Sequence, residues 1–354
     1  MRISTNLFHS EGLRSIQQHQ RDILEIQEKL STGKRVNAPG DDPIAMNQIH
    51  SLNRTMGAID QFAKNGEYAK TQLVLEETVV ADTQNMLQRA RELGVQMLNG
   101  TYSASDRQAT AAEIDEIILQ VSNQMNYTTS EGEKLFAGSS VFASAAFIAD
   151  PNYPGYFTYI GTDNATGSAD ADPLALYGSR LVQVGFDSDN KFTPDVGDPS
   201  QVRITDNGAK VFAADNTLDA TNMDRTTGVD NNILNVLVNM SALLRGQPAQ
   251  AMAVENGSPA NAAPTLDEVV GMFDGAIENL SQVRAEIGGR QNRILSQYEA
   301  GENFKIALEE RRQLIEDMDI VQGITDLTQS QNALQMAQQV FTRVQDMSLF
   351  NYLR

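Results

Sequence analysis

An apolar residue recurs at every seventh position in two widely separated stretches, one in each half of the chain. Leu52, Ile59, Leu73, Val80 and Leu87 form the first series, with Gly66 and Gly94 on the same phase. Phe273, Leu280, Ile287, Ile294, Leu308 and Ile315 form the second, with Gly301 on phase. A heptad sustained this long runs a stripe of side chains down one helix face, and that stripe must meet another helix. Paired long helices follow. Two shorter series, Ile16, Ile23 and Leu30 near the start and Ile320, Leu327, Leu334 and Phe341 near the end, give the termini the same need for a partner.

The chain has 354 residues, more than one average domain, so a rod carrying a globular part fits as well as two lobes. Its formal net charge of −19 argues against nucleic acid, whose phosphates are bound by clustered Lys and Arg. An acidic membrane surface would repel it as well. Without cysteine it can form no disulfide, thiolate metal site or cysteine nucleophile. Met1 to Leu13 contains Arg2, His9, Ser10 and Glu11, with no apolar run and no small-residue cleavage site, so no cleaved secretory signal is expected. No apolar run reaches the roughly 18 residues of a membrane span.

Residues 13 to 30 read as an amphipathic helix, ended by the turn chemistry of Gly33, Pro39 and Gly40. Asp42 can accept from the free amides of the next helix, and Pro43 suits its first position, where a missing N–H costs nothing. That helix should run to about Leu98, with Asn99 and Gly100 as a left-handed stop. Ser105 and Gln108 read as a capping box opening a shorter helix, carried by Ile114, Ile117, Ile118, Val121 and Met125, that folds back on the long one. From Lys134 to Val254 there is no Glu, while Asp, Gly, Thr, Asn, Pro and Tyr become frequent. Glu favours helices and Asp favours turns, so short strands are expected there, at Tyr156 to Ile160, Leu181 to Phe186 and Val202 to Ile204. Loops at Thr162 to Asp172 and Asp187 to Asp198 separate them. Asn231 to Leu244 turns helical, and Thr265 with Glu268 is a capping box from which helix signals continue to the end.

The expected fold is mainly α: a long antiparallel, coiled-coil-like helical rod with an inserted β-rich domain. Its segments are an N-terminal assembly segment with loop (1–42), the first part of the rod (43–139), the insert (140–264), the second part of the rod (265–319) and a C-terminal assembly segment (320–354). Four seam residues in the last segment cannot offset the entropy of ordering all of it. Gln331, Gln335, Gln338, Gln339 and Gln345 flank that seam, with Ser330 and Ala337 as small positions beside it. Both ends are therefore expected to be mobile in a free chain and helical in an assembly. A phase change between Ile315 and Ile320, near Gly323, reads as a hinge or a local stutter.

Leu30-Ser31-Thr32-Gly33-Lys34-Arg35-Val36-Asn37-Ala38-Pro39-Gly40-Asp41-Asp42-Pro43-Ile44-Ala45 resembles the N-terminal signature of the flagellin superfamily, and within it the hook-filament junction family, which Asp42-Pro43 favours. Arg284-Ala285-Glu286-Ile287-Gly288-Gly289-Arg290-Gln291-Asn292-Arg293, Asp319-Ile320, Ile324-Thr325-Asp326-Leu327 and Ser348-Leu349-Phe350 are similar to the family's C-terminal strings. Leu135-Phe136-Ala137-Gly138-Ser139 resembles its exit into a variable domain. The resemblance covers about 1 to 140 and 265 to 354. It implies a structural protein of the bacterial flagellum, extracellular, exported unfolded through the flagellar type III apparatus without a cleaved signal. It further implies a ring of copies of this chain between another junction protein on the hook side and flagellin on the filament side, terminal segments innermost and the insert outward. An export chaperone is expected at the C-terminal segment. The assembly interface implied comprises Ile16, Ile23, Leu30, Ile320, Leu327, Leu334 and Phe341, with Lys34 and Arg35 in an inter-subunit loop or, alternatively, a solvated turn.

No cofactor, catalytic or metal site is expected. His9, His19 and His50 lack an HExxH context and read as polar surface or interface residues. Asp187, Asp189, Asp195 and Asp198 fail as a calcium loop because Lys191 and Phe192 stand where an oxygen ligand and Gly are needed. No dinucleotide, P-loop or nucleophile-elbow string is present. Two rival readings remain: a flagellin or minor filament subunit, and a secreted adhesive or carbohydrate-binding protein acting through Tyr153, Tyr156 and Tyr159 of the insert.

Overall fold

A computed structural model describes residues 2–138, 145–160, 180–186, 200–214, 223–224, 228–255 and 262–352. The order of elements is α1 (Arg2–Thr32), α2 (Pro43–Met97), α3 (Ala104–Met125), β1 (Phe147–Ala149), β2 (Phe157–Tyr159), β3 (Leu181–Gln183), β4 (Gln201–Arg203), α4 (Gly208–Val211), β5 (Met223–Asp224), α5 (Ile233–Leu244), β6 (Val254–Glu255), α6 (Leu266–Glu316) and α7 (Ile320–Tyr352). The expected loops at Thr162 to Asp172 and Asp187 to Asp198, and with them the four aspartates, lie outside the described residues.

Helix α2, 55 residues long, starts where its cap dictates: Asp42 Oδ1 accepts from the amides of Ile44 at 3.1 Å and Ala45 at 3.0 Å. Those bonds, the Ala45 amide foremost, hold the Asp42 carboxyl below the usual carboxylate range. Helix α6, 51 residues, opens on the expected box, with the Thr265 amide donating to Glu268 Oε2 at 2.7 Å. The box of α3 stands two residues earlier than expected. It is Ser103 with Asp106, the Asp106 amide donating to Ser103 Oγ and the Ser103 amide to Asp106 Oδ2 at 3.0 Å. A short Asp at the third helical position closes the box as well as Glu or Gln and suits the positive helix end. Gly100 likewise differs from expectation. Left-handed glycines instead follow α1, at Gly33 (φ 71), and α5, at Gly246 (φ 74).

The chain forms two compact units, Met1–Ile59 with Glu302–Arg354, and Asp60–Gly301. In the second, α2 and α6 run antiparallel: Arg91 meets Asp274 at 2.5 Å, Gln84 donates to Ser281 at 2.9 Å, and Gly66 faces Ile294. The glycines on the heptad phase mark close approach. A Cβ on Gly94 would stand 2.7 Å from Val270 Cγ2 and one on Gly66 3.3 Å from Ile294 Cγ2. Leu73, Val80 and Leu87 of α2 and Phe273, Leu280 and Ile287 of α6 are buried in one continuous core with Ile114, Ile117 and Val121 of α3. Helix α3 folds back on α2 as expected, with Arg89 and Glu113 paired at 2.7 Å.

Among the described residues the middle of the chain has three antiparallel strand pairs, β1 with β2, β3 with β4 and β5 with β6, none longer than three residues. Strands this short are held by side chains as much as by ladders. Asn235 of the buried helix α5 accepts from the Phe157 amide at 2.8 Å and donates to the Phe157 carbonyl at 2.8 Å, stitching β2 to the helix. The exit at Leu135 and Phe136 is buried, Phe136 stacking edge-on against Phe212 at 4.7 Å and its carbonyl accepting from the Gly208 amide. Tyr156 and Tyr159 are buried too, their hydroxyls donating to Asn239 Oδ1 and the Phe136 carbonyl. They are structural members of this core and offer no stacking face to a sugar, which removes two of the three residues of the carbohydrate-binding alternative.

Candidate assembly interface

The other unit contains both terminal helices. Helices α1 and α7 pack on each other. A Cβ on Gly12 would stand 2.8 Å from the Phe341 ring, and one on Gly323 2.9 Å from Leu30 Cδ2. Residues 12 and 30 of α1 thus meet 341 and 323 of α7, an antiparallel pairing with the same interval on both helices. The covered residues of α1, Gly12, Ile16, His19, Ile23, Ile26 and Leu30, and of α7, Gly323, Leu327, Ser330, Leu334, Ala337 and Phe341, are spaced alternately four and three apart. This is a coiled-coil seam whose second positions, Ile26 excepted, are small or polar. A strict seven-residue repeat shows one residue of each heptad; the four-three spacing adds Ile26 and places His19, expected at a surface or interface, on the seam.

The seam is shallow. Between Ser10 and Thr32 every side chain keeps partial or full exposure, and between Ile320 and Arg343 only Gly323 is buried. Ile16, Ile23, Leu30, Leu327, Leu334 and Phe341 lie together in this seam, half-buried. Ile320 does not join them. Continued one step, the register sets it level with Gly33, where α1 has already turned away, and it is 58 % exposed. The face of α7 turned from the seam is apolar as well: Val321, Ile324, Met336 and Val340 are exposed, and Ile324, Ala333 and Met336 line a shallow groove with Thr325, Thr328, Gln329 and Asn332. On α1, Leu13 and Leu24 are exposed.

Lys34 and Arg35 are used within the chain. Lys34 Nζ meets Glu316 Oε1 at 2.5 Å, the Arg35 amide donates to the Glu316 carbonyl at 2.7 Å, and Arg35 Nη2 donates to the Ile315 carbonyl at 2.9 Å. The Met318 amide donates to the Gly33 carbonyl at 2.9 Å. These bonds tie the loop after α1 to the break between α6 and α7 at 317–319, the place of the phase change in the sequence. Asp41 braces the loop, its Oδ2 accepting from the amides of Asn37 at 2.9 Å and Ala38 at 3.0 Å, which holds its carboxyl below the usual range. Beneath lies a small core of Val36, Ala45 and Ile49 with Met46 and Ile315. Leu314, beside Ile315, is 86 % exposed, and Ile44 is 73 % exposed.

His19 sits half-buried on the seam, 4.0 Å from Asp22, and His50 is exposed. Among the described residues no group of three or more His, Asp or Glu is placed to hold a metal ion, and no helix is long and apolar enough to cross a membrane.

Residues 3–141 match the bacterial flagellin N-terminal helical region and residues 270–353 the bacterial flagellin C-terminal helical region, together more than half of the chain. The flagellar hook-associated protein 3 of Salmonella typhimurium is 27 % identical over 356 aligned positions, covering 100 % of both chains. Among solved structures, a putative flagellar hook-associated protein from Vibrio parahaemolyticus superposes with a TM-score of 0.57 at 19 % identity, covering 78 % of this chain and 99 % of that one. The flagellar junction protein FlgL of Legionella pneumophila does so with a TM-score of 0.52 at 15 % identity, covering 76 % and 99 %. The fold is theirs. With both flagellin helical regions in place around the antiparallel pairs described above, the chain belongs to the flagellin superfamily, and within it is similar over its full length to hook-associated protein 3.

Proposed function

We propose that this chain is a structural, non-enzymatic component of the bacterial flagellum that joins hook to filament by assembling with copies of itself through its terminal helices. The observation that carries this is the pair α1 and α7: one thin seam between them, and a second apolar face on α7 that nothing in the described chain covers. Such a face is stabilised by burial against neighbouring subunits, and the Gln and Asn residues around it set their register. In this reading a ring of copies meets another junction protein on one side and flagellin on the other, with Ile16, Ile23, Leu30, Ile320, Leu327, Leu334 and Phe341 buried in the assembly. Lys34 and Arg35 fix the terminal pair on the loop from which it projects. Ring closure calls for head-to-side contacts, not a two-fold patch.

The same apolar C-terminal face is suited to an export chaperone before assembly, and the location is extracellular, reached without a cleaved signal. The experiment is a deletion of the gene. Cells should keep intact hooks, lack attached filaments and shed flagellin into the medium, and a copy lacking 320–354 should fail to restore them. Normal filaments on the deletion strain would refute the proposal. Purified protein that grows long filaments on salting-out would instead identify a filament subunit.

A further inference from the structure

The buried seam of the second unit carries one charged residue on each long helix. On α2 the buried positions run Ala69, Leu73, Glu76, Val80, Thr83, Leu87 and Ala90, and on α6 Phe273, Ala276, Leu280, Val283, Ile287, Arg290 and Ile294. The spacing is three and four throughout, so Glu76 and Arg290 occupy core positions, and the antiparallel register brings them to the same stretch of the seam. They are the natural ion pair of a two-helix rod. The structure does not pair them.

Arg290 instead turns to the middle domain. Its Nη1 and Nη2 meet Asp206 Oδ1 and Oδ2 at 3.2 and 2.5 Å, Nη1 also donates to the Arg203 carbonyl at 3.3 Å, and Nε donates to the carbonyl of Glu286 at 3.4 Å. Asp206 Oδ1 also forms an ion pair with Arg203, 2.6 Å from its Nε. Arg203 in turn reaches Glu286 Oε2 at 3.2 Å, and Lys210 reaches Glu286 Oε1 at 3.7 Å. Glu76 is fully buried, and neither carboxyl oxygen accepts a hydrogen bond from a donor among the described residues, as is true of Gln72 Oε1 one turn earlier; the Glu76 carboxyl lies instead against the Asp206 carboxylate, to which it can donate only when protonated. Inside the cluster Arg203 and Arg290 are already matched by Asp206 and Glu286, and the remaining cation, Lys210, is half-exposed at the edge, so an ionised Glu76 would have no buried cation left to itself.

We propose that Glu76 and Asp206 compete for the Arg290 guanidinium, so that docking of the β4 segment on the two long helices displaces Glu76 from Arg290 and is coupled to uptake of a proton by Glu76. Undocked, the rod is held in register by Glu76 and Arg290 across the seam; docked, Asp206 takes the guanidinium and Glu76 becomes a neutral acid. Burial first, and then the Asp206 charge, raises the Glu76 carboxyl well above its ordinary range. Asp206 moves the other way: burial raises it, but the Arg203 and Arg290 charges outweigh burial and hold it low. The sign of the linkage follows. The folded chain keeps a proton that the unfolded chain has lost, so stability falls as pH rises from the ordinary glutamate range through the folded value of Glu76. Asp206 adds stability above the ordinary aspartate range, and that stability is lost in acid as pH falls through its depressed value.

The test is calorimetric unfolding of the full chain at pH 7 in buffers of different ionisation enthalpy, which counts protons released. Wild type should release one proton more than Glu76→Gln, and its folded state should show a carboxylic-acid C=O stretch that Glu76→Gln lacks. Asp206→Asn returns Arg290 to Glu76, so both signals should vanish there too, while Asp206→Glu, which keeps the charge, should retain them. Equal proton release from wild type and Glu76→Gln, or no acid band in wild type, overturns the proposal. An undiminished band in folded Asp206→Asn would mean that burial alone holds the proton and would overturn the competition. If Asp206→Asn does not fold, the presence or absence of the band in wild type still decides.

Discussion

The two units use one heptad code and bury it to different depths. In the second, Leu73, Val80 and Leu87 face Phe273, Leu280 and Ile287 in a seam sealed by α3 and α5, and all six are inaccessible to solvent. In the first, the same series continues from the buried Ile59 at its edge to Leu52, Leu308 and Ile315, each only half-buried, and between residues 10–32 and 320–343 the seam of α1 and α7 contains no buried side chain larger than hydrogen. A fully buried Leu or Ile contributes about 1.5 to 3 kcal/mol and a half-buried one correspondingly less, while the entropy of ordering the backbone is the same in both. Periodicity therefore specifies where helices pair; burial by a third element decides whether the pair is stable alone.

The largest effect that could break this comparison comes from removing 1–32 and 320–354. Joining of hooks to filaments should be lost completely, while the thermal transition of the Asp60–Gly301 unit stays where it was in a calorimetric scan. A fall in that transition would mean that the second unit depends on the terminal helices. Next, Phe273→Ala should cost about 3–5 kcal/mol in denaturant unfolding of the dilute chain, because the cavity lies inside a closed core. Leu334→Ala should cost under about 1 kcal/mol there, its side chain being already half in water, and should show its effect on assembly instead. Equal costs at the two positions would erase the distinction between the units.

Smaller effects sharpen the same point along α2 itself. Gly94→Ala places a Cβ 2.7 Å from Val270 and 3.2 Å from Met240 and should destabilise by about 1–3 kcal/mol. Gly57→Ala meets nothing within 4 Å and should stabilise by about 0.5–1 kcal/mol through helix propensity. Opposite signs in a melting experiment are expected. Of similar size is Thr265→Ala, which removes the hydroxyl of the α6 capping box and should cost about 1 kcal/mol in the Asp60–Gly301 unit.

What was legible in the sequence is local or periodic. Asp42 and Pro43 mark the start of α2, and Thr265 with Glu268 the start of α6, because a cap needs only neighbours in the chain. The heptad phases located both helix pairs, and Gly66 and Gly94 stood on phase where the helices come closest. The α3 box was misplaced by two residues because two overlapping patterns, Ser103 with Asp106 and Ser105 with Gln108, compete in one stretch, and only the chain's path selects the first. The pairing of β5 with β6 and the stitching by Asn235 and Asn239 depend on contacts distant in sequence and had no periodic signature. Glu76 and Arg290 were hidden for the opposite reason: each interrupts an apolar pattern, and an interruption reads as a surface residue until its partner is known. Ile320 shares the phase of the α1–α7 seam but stands outside it, because phase alone cannot show that the facing helix has ended.

Amide hydrogen exchange on the full chain, compared between a dilute monomer and the assembled state, tests the central claim most directly. Residues 10–32 and 320–343 should exchange rapidly in the monomer while the Asp60–Met97 part of α2 is protected, and should become protected on assembly. Protection of the terminal helices in the monomer equal to that of α2 would contradict the account.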